Sequence, residues 1–234
     1  MTEETKGTLS EAIGRKPIKL VDAAGAEHVL RTLTLGEVAL MTDEFGELEE
    51  WGKSVRMGAA MWEAAIWLAL RKAMATPAQR AAKDYALTRR QAGLMVPIGK
   101  GRATVIDADG VQVQLEPLTL ADLVEIEEIA GSFFDWIGKA VSPRAAARTL
   151  WVASRKVGLT PAQVEAREWA SKEEDVVERF DMAVLRDPAF KALIDADLVA
   201  GILNLWLMMM ADAGIRMRDG GPGGDPTNAA TPAS

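Results

Sequence analysis

The amino-acid sequence predicts a mainly α protein with small β-hairpins, an α+β fold class, built as two tandem repeats of a hairpin plus three helices and followed by C-terminal helices. "LVDAAGAEHVLRTLTL" (residues 20–35) and "VIDADGVQVQLEPLTL" (residues 105–120) align at a spacing of 85 residues. "WLALRKAMATPAQ" (67–79) and "WVASRKVGLTPAQ" (151–163) align at a spacing of 84 residues. Self-similarity at a nearly constant spacing indicates repeated structural units.

The repeat and the shifts in composition around it divide the chain of 234 residues into six parts. We expect an N-terminal arm (1–16), repeat unit 1 (17–91), a linker (92–102), repeat unit 2 (103–171), C-terminal helices (172–217) and a disordered tail (218–234). The linker is assigned from its Gly and Pro residues. The tail is rich in Gly, Pro, Ala and Thr, and such a segment buries too little apolar surface to offset the entropy of ordering.

Each unit is predicted to begin with a hairpin. In unit 2, apolar and polar residues alternate on both sides of Asp109-Gly110, and Asp-Gly is a favoured hairpin turn because both central positions accept positive φ. The acidic turn also suggests a calcium loop, which would need a further oxygen ligand and a bidentate Glu at its end. Unit 1 has Asp22-Ala23-Ala24-Gly25 at the matched place, so a structural turn is favoured.

The first helix of each unit starts at a Thr that is followed three residues later by an acid, Thr34 with Glu37 and Thr119 with Asp122. In such a capping box the hydroxyl and the acid each accept a hydrogen bond from a free backbone N–H. In unit 2, apolar residues recur at helical spacing. The acids Asp122, Glu125, Glu127 and Glu128 fall mostly on other faces, and we interpret them as a solvated surface.

The second helix of each unit carries Trp67 or Trp151 and ends on basic residues, where the helix dipole favours cations. The third begins at Thr76-Pro77 or at Thr160-Pro161, because proline at the first helical position lacks only an N–H that would have had no partner. Trp51 and Trp136 also match between the units. Each tryptophan ring buries about 150–250 Å², so we interpret the matched tryptophans as core positions.

Two further helices, over about 173–185 and 188–213, are predicted after unit 2. The most apolar run, Leu198–Ala211, is 14 residues long, whereas a membrane-spanning helix needs about 20. We therefore expect a helix that is buried or faces a partner. Flexible thioethers adapt to irregular partners, which gives the candidate partner-binding residues Trp206, Leu207, Met208, Met209 and Met210. Packing of these five residues against the repeats is the other interpretation.

Composition excludes several classes of function. The net charge of -7 provides no positive potential for a phosphate backbone, so we expect proteins rather than nucleic acid or membrane as partners. The chain has no cysteine, which excludes thiol nucleophiles and thiolate metal sites. Its acidic, polar start (1–5) differs from a secretory signal, so we expect a cytoplasmic protein.

No catalytic, cofactor-binding or metal site is predicted. His28 is the single histidine, and the matched position in unit 2 is Val113. A catalytic base must converge with a nucleophile and an orienting group, and nothing near His28 in the sequence suggests either. Gly99, Lys100 and Gly101 lack the spacing of a phosphate-binding loop, so we interpret them as part of the linker.

Two motifs resemble the tail assembly chaperones of long-tailed, siphovirus-type bacteriophages, here in a tandem-duplicated form. "LRTLTLGEVALM" and "LEPLTLADLVEIEE" each run from a hairpin strand into a Thr-capped acidic helix, and each is followed by W-x-A-x-R-K and T-P-A-Q. The resemblance covers about residues 17–165. It implies a helical, acidic protein of the bacterial cytoplasm that binds the tape-measure protein, helps to recruit tail-tube subunits and is absent from the mature virion. It also implies a longer product made by ribosomal frameshifting.

Other interpretations of the sequence stay open. A structural head–tail or tail component of the virion would be found in finished particles, unlike a chaperone. An enzyme would require carboxylates of the two units to meet at their junction, where mutual burial could raise a pKa for acid–base chemistry. Self-association, the identity of the client and the repeat that carries the binding surface are not decided by the sequence.

Overall fold

A computed structural model describes residues 17–51, 58–132, 142–169 and 171–215. It confirms a mainly helical protein with two small antiparallel sheets of two strands each. In chain order the elements are β1 (Lys19–Val21), β2 (Glu27–Val29), α1 (Leu35–Phe45), α2 (Leu48–Trp51), α3 (Ala59–Met74), α4 (Pro77–Ala82), α5 (Arg89–Met95), β3 (Ala103–Ile106), β4 (Gln112–Leu115), α6 (Leu120–Ala130), α7 (Pro143–Ser154), α8 (Pro161–Ala166), α9 (Glu173–Val177), a 3₁₀ turn (Met182–Arg186), α10 (Pro188–Ala192) and α11 (Ala196–Asp212). We call β1–α5 the first segment and β3–α9 the second segment.

Both hairpins are closed by an aspartate at the start of the turn. Leu20 pairs with His28 in the first hairpin, and Val105 pairs with Val113 in the second. Asp22 Oδ1 accepts hydrogen bonds from two backbone N–H groups of its turn, at 2.9 and 2.8 Å. Asp107 Oδ1 does the same at 3.1 and 2.8 Å. The acidic turn is therefore a backbone-bonded turn, as the sequence indicated.

The predicted helix starts are present. The carboxylate of Glu37 accepts a hydrogen bond from the Thr34 N–H at 2.8 Å, and that of Asp122 accepts one from the Thr119 N–H at 2.8 Å. Helices α4 and α8 begin at Thr76 and Thr160 with capping boxes and a first-turn proline. Local sequence chemistry thus fixes where these helices begin.

Several longer-range contacts recur at the spacing of the sequence repeat. The indole N–H of Trp67 donates to the Leu87 carbonyl at 2.8 Å, and that of Trp151 donates to the Ser171 carbonyl at 3.2 Å. The ammonium of Lys72 donates to the Thr32 carbonyl, and that of Lys156 to the Pro117 carbonyl, both at 2.6 Å. The last pair of contacts joins each hairpin to a later helix: Ala23 N–H donates to Met95 O, and Ala108 N–H donates to Arg179 O, both at 2.8 Å.

Helix α3 lies at the centre of the core. It packs against α1, α5, α6 and α11, while α6 also packs against α5 and α7. Its side chains Trp62, Ile66 and Leu70 are fully buried. Of the matched tryptophans, Trp51 is fully buried, whereas Trp67 and Trp151 are half-buried at the edge of the core. Because α6 contacts helices of both segments, the two segments share one hydrophobic core.

The segment 92–102, predicted as a linker, contributes to the core. Its first residues belong to α5, and the side chains of Ala92, Val96 and Ile98 are buried. Ile98 N–H donates to Leu118 O at 2.9 Å, so the segment pairs with the approach to α6. The Gly and Pro residues suggested a connector, but the apolar residues between them decide the packing.

The two predicted C-terminal helices are divided into α9, the 3₁₀ turn, α10 and α11. Asp181, Asp187 and Asp195 each accept backbone N–H hydrogen bonds at the start of a new turn or helix. A short polar side chain competes with helix continuation in this way. The predicted arm (1–16), most of the predicted tail (218–234) and Trp136 lie outside the described residues.

The run Pro188–Asp212 has the length and apolar composition of a membrane-crossing helix. In the structure it is divided between α10 and α11, and α11 packs against α3. Core helices pass the same test of length and composition, so this feature does not identify a membrane span.

Candidate functional site

The five predicted partner-binding residues do not form one exposed surface. Trp206, Met209 and Met210 are buried in the core, while Leu207 and Met208 are exposed. Residues separated by three and four positions share a helix face, which explains why these five consecutive residues are divided. The interpretation as core is correct for three of them, and two remain available to a partner.

The outward side of α11 is nevertheless continuous and mostly apolar. Met208 is 50% exposed and Leu207 is 37% exposed. Other exposed residues follow the same stripe at helical spacing. We call the set Ala200, Gly201, Asn204, Leu207, Met208 and Ala211 the α11 outer face. A surface helix usually carries polar residues on its solvent side, so this face is a candidate contact surface.

Helix α11 is anchored at both ends. Asp195 caps its first turn, and Lys100 Nζ lies 2.7 Å from Asp195 Oδ2. The hydrogen bond from Lys100 lowers the pKa of Asp195, and backbone N–H groups lower it further. At the other end, the Thr32 hydroxyl donates to the Asp212 carboxylate. These contacts hold the α11 outer face on the rigid body of the protein.

The first segment contains a buried ion pair beside an arginine stacked on aromatic rings. Lys72 Nζ lies 2.6 Å from Glu37 Oε2, and Arg71 Nη2 lies 3.3 Å from Glu37 Oε1. The Arg71 guanidinium carbon is 4.4 Å from the centre of the Trp67 ring and 4.7 Å from that of Tyr85. Burial alone would raise the pKa of Glu37, but Lys72 and the Thr34 backbone outweigh it, and the pKa is lowered.

The second segment repeats this cluster and adds a carboxylate. Lys156 Nζ lies 2.7 Å from Asp122 Oδ2, which matches the Lys72–Glu37 pair. Arg155 donates two hydrogen bonds, at 2.7 and 2.6 Å, to Glu125. Its guanidinium carbon is 4.1 Å from the Trp151 ring centre and 4.0 Å from the Trp169 ring centre.

Two acids that the sequence suggested were solvated are therefore buried. Asp122 and Glu125 point into the interior, where Lys156, Arg155 and Arg148 neutralise them. The pKa of Glu125 would be raised by burial, but the three nearby arginines outweigh this effect and lower it. The sequence signal that could have revealed them is the pairing of an acid on the first helix with Arg-Lys on the second, present in both units.

Glu63 behaves differently. Burial raises its pKa, and Arg89, whose Nε lies 3.0 Å from Glu63 Oε2, offsets this only in part. The carboxylate is enclosed by helices, because a Cβ placed at Gly93 would lie 2.2 Å from Glu63 Oε1. Glu63 is thus a raised-pKa carboxylate packed between α3 and α5.

A groove of about 580 Å³ lies between the two segments. Its wall is mostly apolar and comes from the first hairpin turn, the end of α3, α5 and α8. Two carboxylates line it, Asp22 and Glu165. The hydrogen bond with His28 Nε2, 2.8 Å from Asp22 Oδ2, lowers the pKa of Asp22, and Glu165 accepts a hydrogen bond from Gln91 at 2.7 Å.

These carboxylates are arranged for structure rather than for proton transfer. A general acid needs a raised pKa and access to substrate, whereas Asp22 has a lowered pKa and bonds to its own turn. Among the residues that the structure describes, no group of three or more His, Asp or Glu side chains is placed to hold a metal ion. Comparison with protein-family models, curated proteins and solved structures found no match for this chain.

Proposed function

We propose that this protein is a non-enzymatic tail assembly chaperone of a long-tailed bacteriophage. In this role it binds the tape-measure protein in the cytoplasm of the bacterial host, helps to recruit tail-tube subunits and leaves before the virion is complete. The sequence motifs at Thr34 and Thr119 carry the resemblance, and both motifs start capped helices of the shared core.

The α11 outer face is the observation that carries this proposal. An apolar stripe on an otherwise charged protein favours contact with another polypeptide. Small residues at Ala200 and Gly201 let a partner backbone approach, while the Leu207 and Met208 side chains provide adaptable apolar contact. A single helix face gives modest contact area, which suits a client that must be bound and then released.

We further infer that the chain contains two copies of one structural unit. Matched hydrogen bonds of Trp67 with Trp151 and of Lys72 with Lys156 support this inference. Helix α9 begins 84 residues after α5, so each copy includes a fourth helix beyond the three that the sequence indicated. Two copies would give the protein two related sites or one site and one scaffold.

Co-expression with the tape-measure protein tests the function. We expect the tape-measure protein to be soluble with the wild-type chain and to precipitate with Met208→Asp, because a charge on the α11 outer face opposes apolar contact. Met182→Asp is the matched control, since Met182 is also exposed but lies on the 3₁₀ turn. Both variants should keep the wild-type unfolding free energy.

The proposal is wrong if the tape-measure protein is equally soluble with and without this chain. Mass spectrometry of purified particles separates a chaperone from a structural head–tail component, since only the component remains in the virion. The same measurement on infected-cell lysate detects a C-terminally extended product, which the frameshift hypothesis requires.

A further inference from the structure

The approach to α6 is covered by an extended piece of chain. Ile98 N–H donates to Leu118 O at 2.9 Å, and Leu120 N–H donates to Val96 O at 2.8 Å. Between these bonds Pro97 and Thr119 form an antiparallel bridge. Leu118 and Leu120 are consequently fully buried.

The matched approach to α1 is open. Thr34 is extended like Thr119, with φ −82° and ψ 160°. Leu35, which matches the buried Leu120, is 87% exposed. Within the described part of the chain, no backbone group bonds to Leu33 O or Leu35 N–H in the way that 96–98 bonds to the second segment. We call this stretch the Leu33–Leu35 edge.

The sequence provides a segment of the same chemistry at the same distance. Residues 96–100 read Val-Pro-Ile-Gly-Lys, and residues 11–15, which lie outside the described residues, read Glu-Ala-Ile-Gly-Arg. Both stand at the spacing of 85 that relates the hairpins, so the chain between segment and hairpin has the same length in each case. Gly99 allows close approach, because a Cβ there would lie 3.2 Å from Leu118 N and 2.5 Å from Leu193 O.

We propose that the Leu33–Leu35 edge is the docking site of this chain's own residues 11–15. Ala12 then lies opposite Thr34 as Pro97 lies opposite Thr119, and Ile13 covers Leu35. Burial of Leu35 favours docking, while the ordering of five residues opposes it, so docking is reversible. The inference concerns an interaction surface and does not depend on the proposed function.

Disulfide trapping in the full chain tests the proposal. The natural chain has no cysteine, so an engineered pair has no competing thiol. Opposite residues without direct hydrogen bonds have Cα atoms about 4.5 Å apart, a distance that a disulfide spans. Under mild oxidation we expect Ala12→Cys/Thr34→Cys to form an intrachain disulfide to the same extent as the positive control, Pro97→Cys/Thr119→Cys. Both variants lose a threonine cap, which matches their folding penalties.

Ala12→Cys/Ala200→Cys is the negative control, with its second cysteine on the α11 outer face. Trapping of Ala12→Cys/Thr34→Cys at only this background level would overturn the proposal. A disulfide between two chains, seen as a dimer on a non-reducing gel, would overturn it as well and assign the edge to a second copy.

Hydrogen exchange gives a second measurement that keeps Thr34 in place. We expect the Leu35 amide to exchange at least about tenfold faster in Ile13→Asp than in the wild type, because the variant removes the side chain that covers it. The Leu120 amide, bonded to Val96 O, should exchange at the same rate in both proteins. Equal Leu35 rates in both proteins would overturn the docking.

Discussion

The two arginine clusters show how the same arrangement behaves when it is covered and when it is open. Arg155 has a fully buried side chain and two short hydrogen bonds to Glu125. Arg71 is 15% exposed and, among the described residues, has one hydrogen bond, to Glu37 at 3.3 Å. At the position that matches Glu125, the first segment has Leu40. The carboxylate is therefore present where the arginine is completely buried.

Exposure at this matched position is the reverse of what hydrophobicity alone would give. Glu125 is 9% exposed, whereas Leu40 is 56% exposed. The cause is the neighbourhood of each helix, since α6 is covered by α3 and α5 of the first segment, while α1 has no preceding segment to cover it. The outer side of α1 thus resembles an interface without its partner, and the apolar residues on it are surfaces for binding.

Glu125→Leu should produce the largest effect. The variant reproduces Leu40 in the second segment and leaves Arg155 and Arg148 buried without their shared carboxylate. Loss of one partner of a buried ion pair costs about 3–5 kcal/mol. Urea unfolding should show this loss, while the control Leu40→Ala should change stability by less than about 0.5 kcal/mol. A loss below about 1 kcal/mol in Glu125→Leu would mean that the pair is not needed for the core.

Gly93→Ala tests the contact that covers α6. An added Cβ would lie 2.2 Å from Glu63 Oε1 and 2.9 Å from the Ala121 Cβ, so α5 must move away from α3 and α6. Overpacking of this kind costs about 1–3 kcal/mol. Gly36→Ala is the matched control on α1, where the added Cβ meets nothing within 4 Å. That substitution should stabilise the protein by about 0.5–1 kcal/mol in thermal unfolding, and the same sign for both would contradict the comparison.

The sequence predicted the elements that depend on local chemistry. Thr34, Thr119, Thr76 and Thr160 start helices because their hydroxyls and the residues three positions later satisfy free backbone groups. Non-local burial was less accessible: Glu125 follows the pattern of a solvated acid, and only the packing of α7 and α5 around it shows that it is internal. Likewise, the Trp206–Met210 run could be assigned to a helix but not divided into inner and outer faces until α3 fixed its orientation.

Acid should destabilise the protein through both clusters. The pKa values of Glu37 and Glu125 are lowered below the ordinary 4.5, so their contribution is complete above that pH and is lost as the pH falls towards the lower folded value. Glu63 has a raised pKa and opposes this loss, because its protonation is easier in the folded state. We expect unfolding free energy to fall between pH ~5 and ~3 on the order of 1 kcal/mol. Glu37→Gln should reduce that slope, and an unchanged slope would exclude Glu37 as a source.

Leu40→Glu should produce the smallest effect and is the most direct test of the comparison. It places in the first segment the carboxylate that the second segment already has, on the same helix face as Glu37 and next to Arg71. Because Leu40 is exposed, the new ion pair is screened by water, and it should add only about 0.2–1 kcal/mol. A cycle of Leu40→Glu with Arg71→Met measures the coupling, and Leu40→Gln controls for lost apolar surface. High salt should abolish the gain, since exposed pairs are screened; a gain that persists in Arg71→Met would show that another cation, not Arg71, receives the carboxylate.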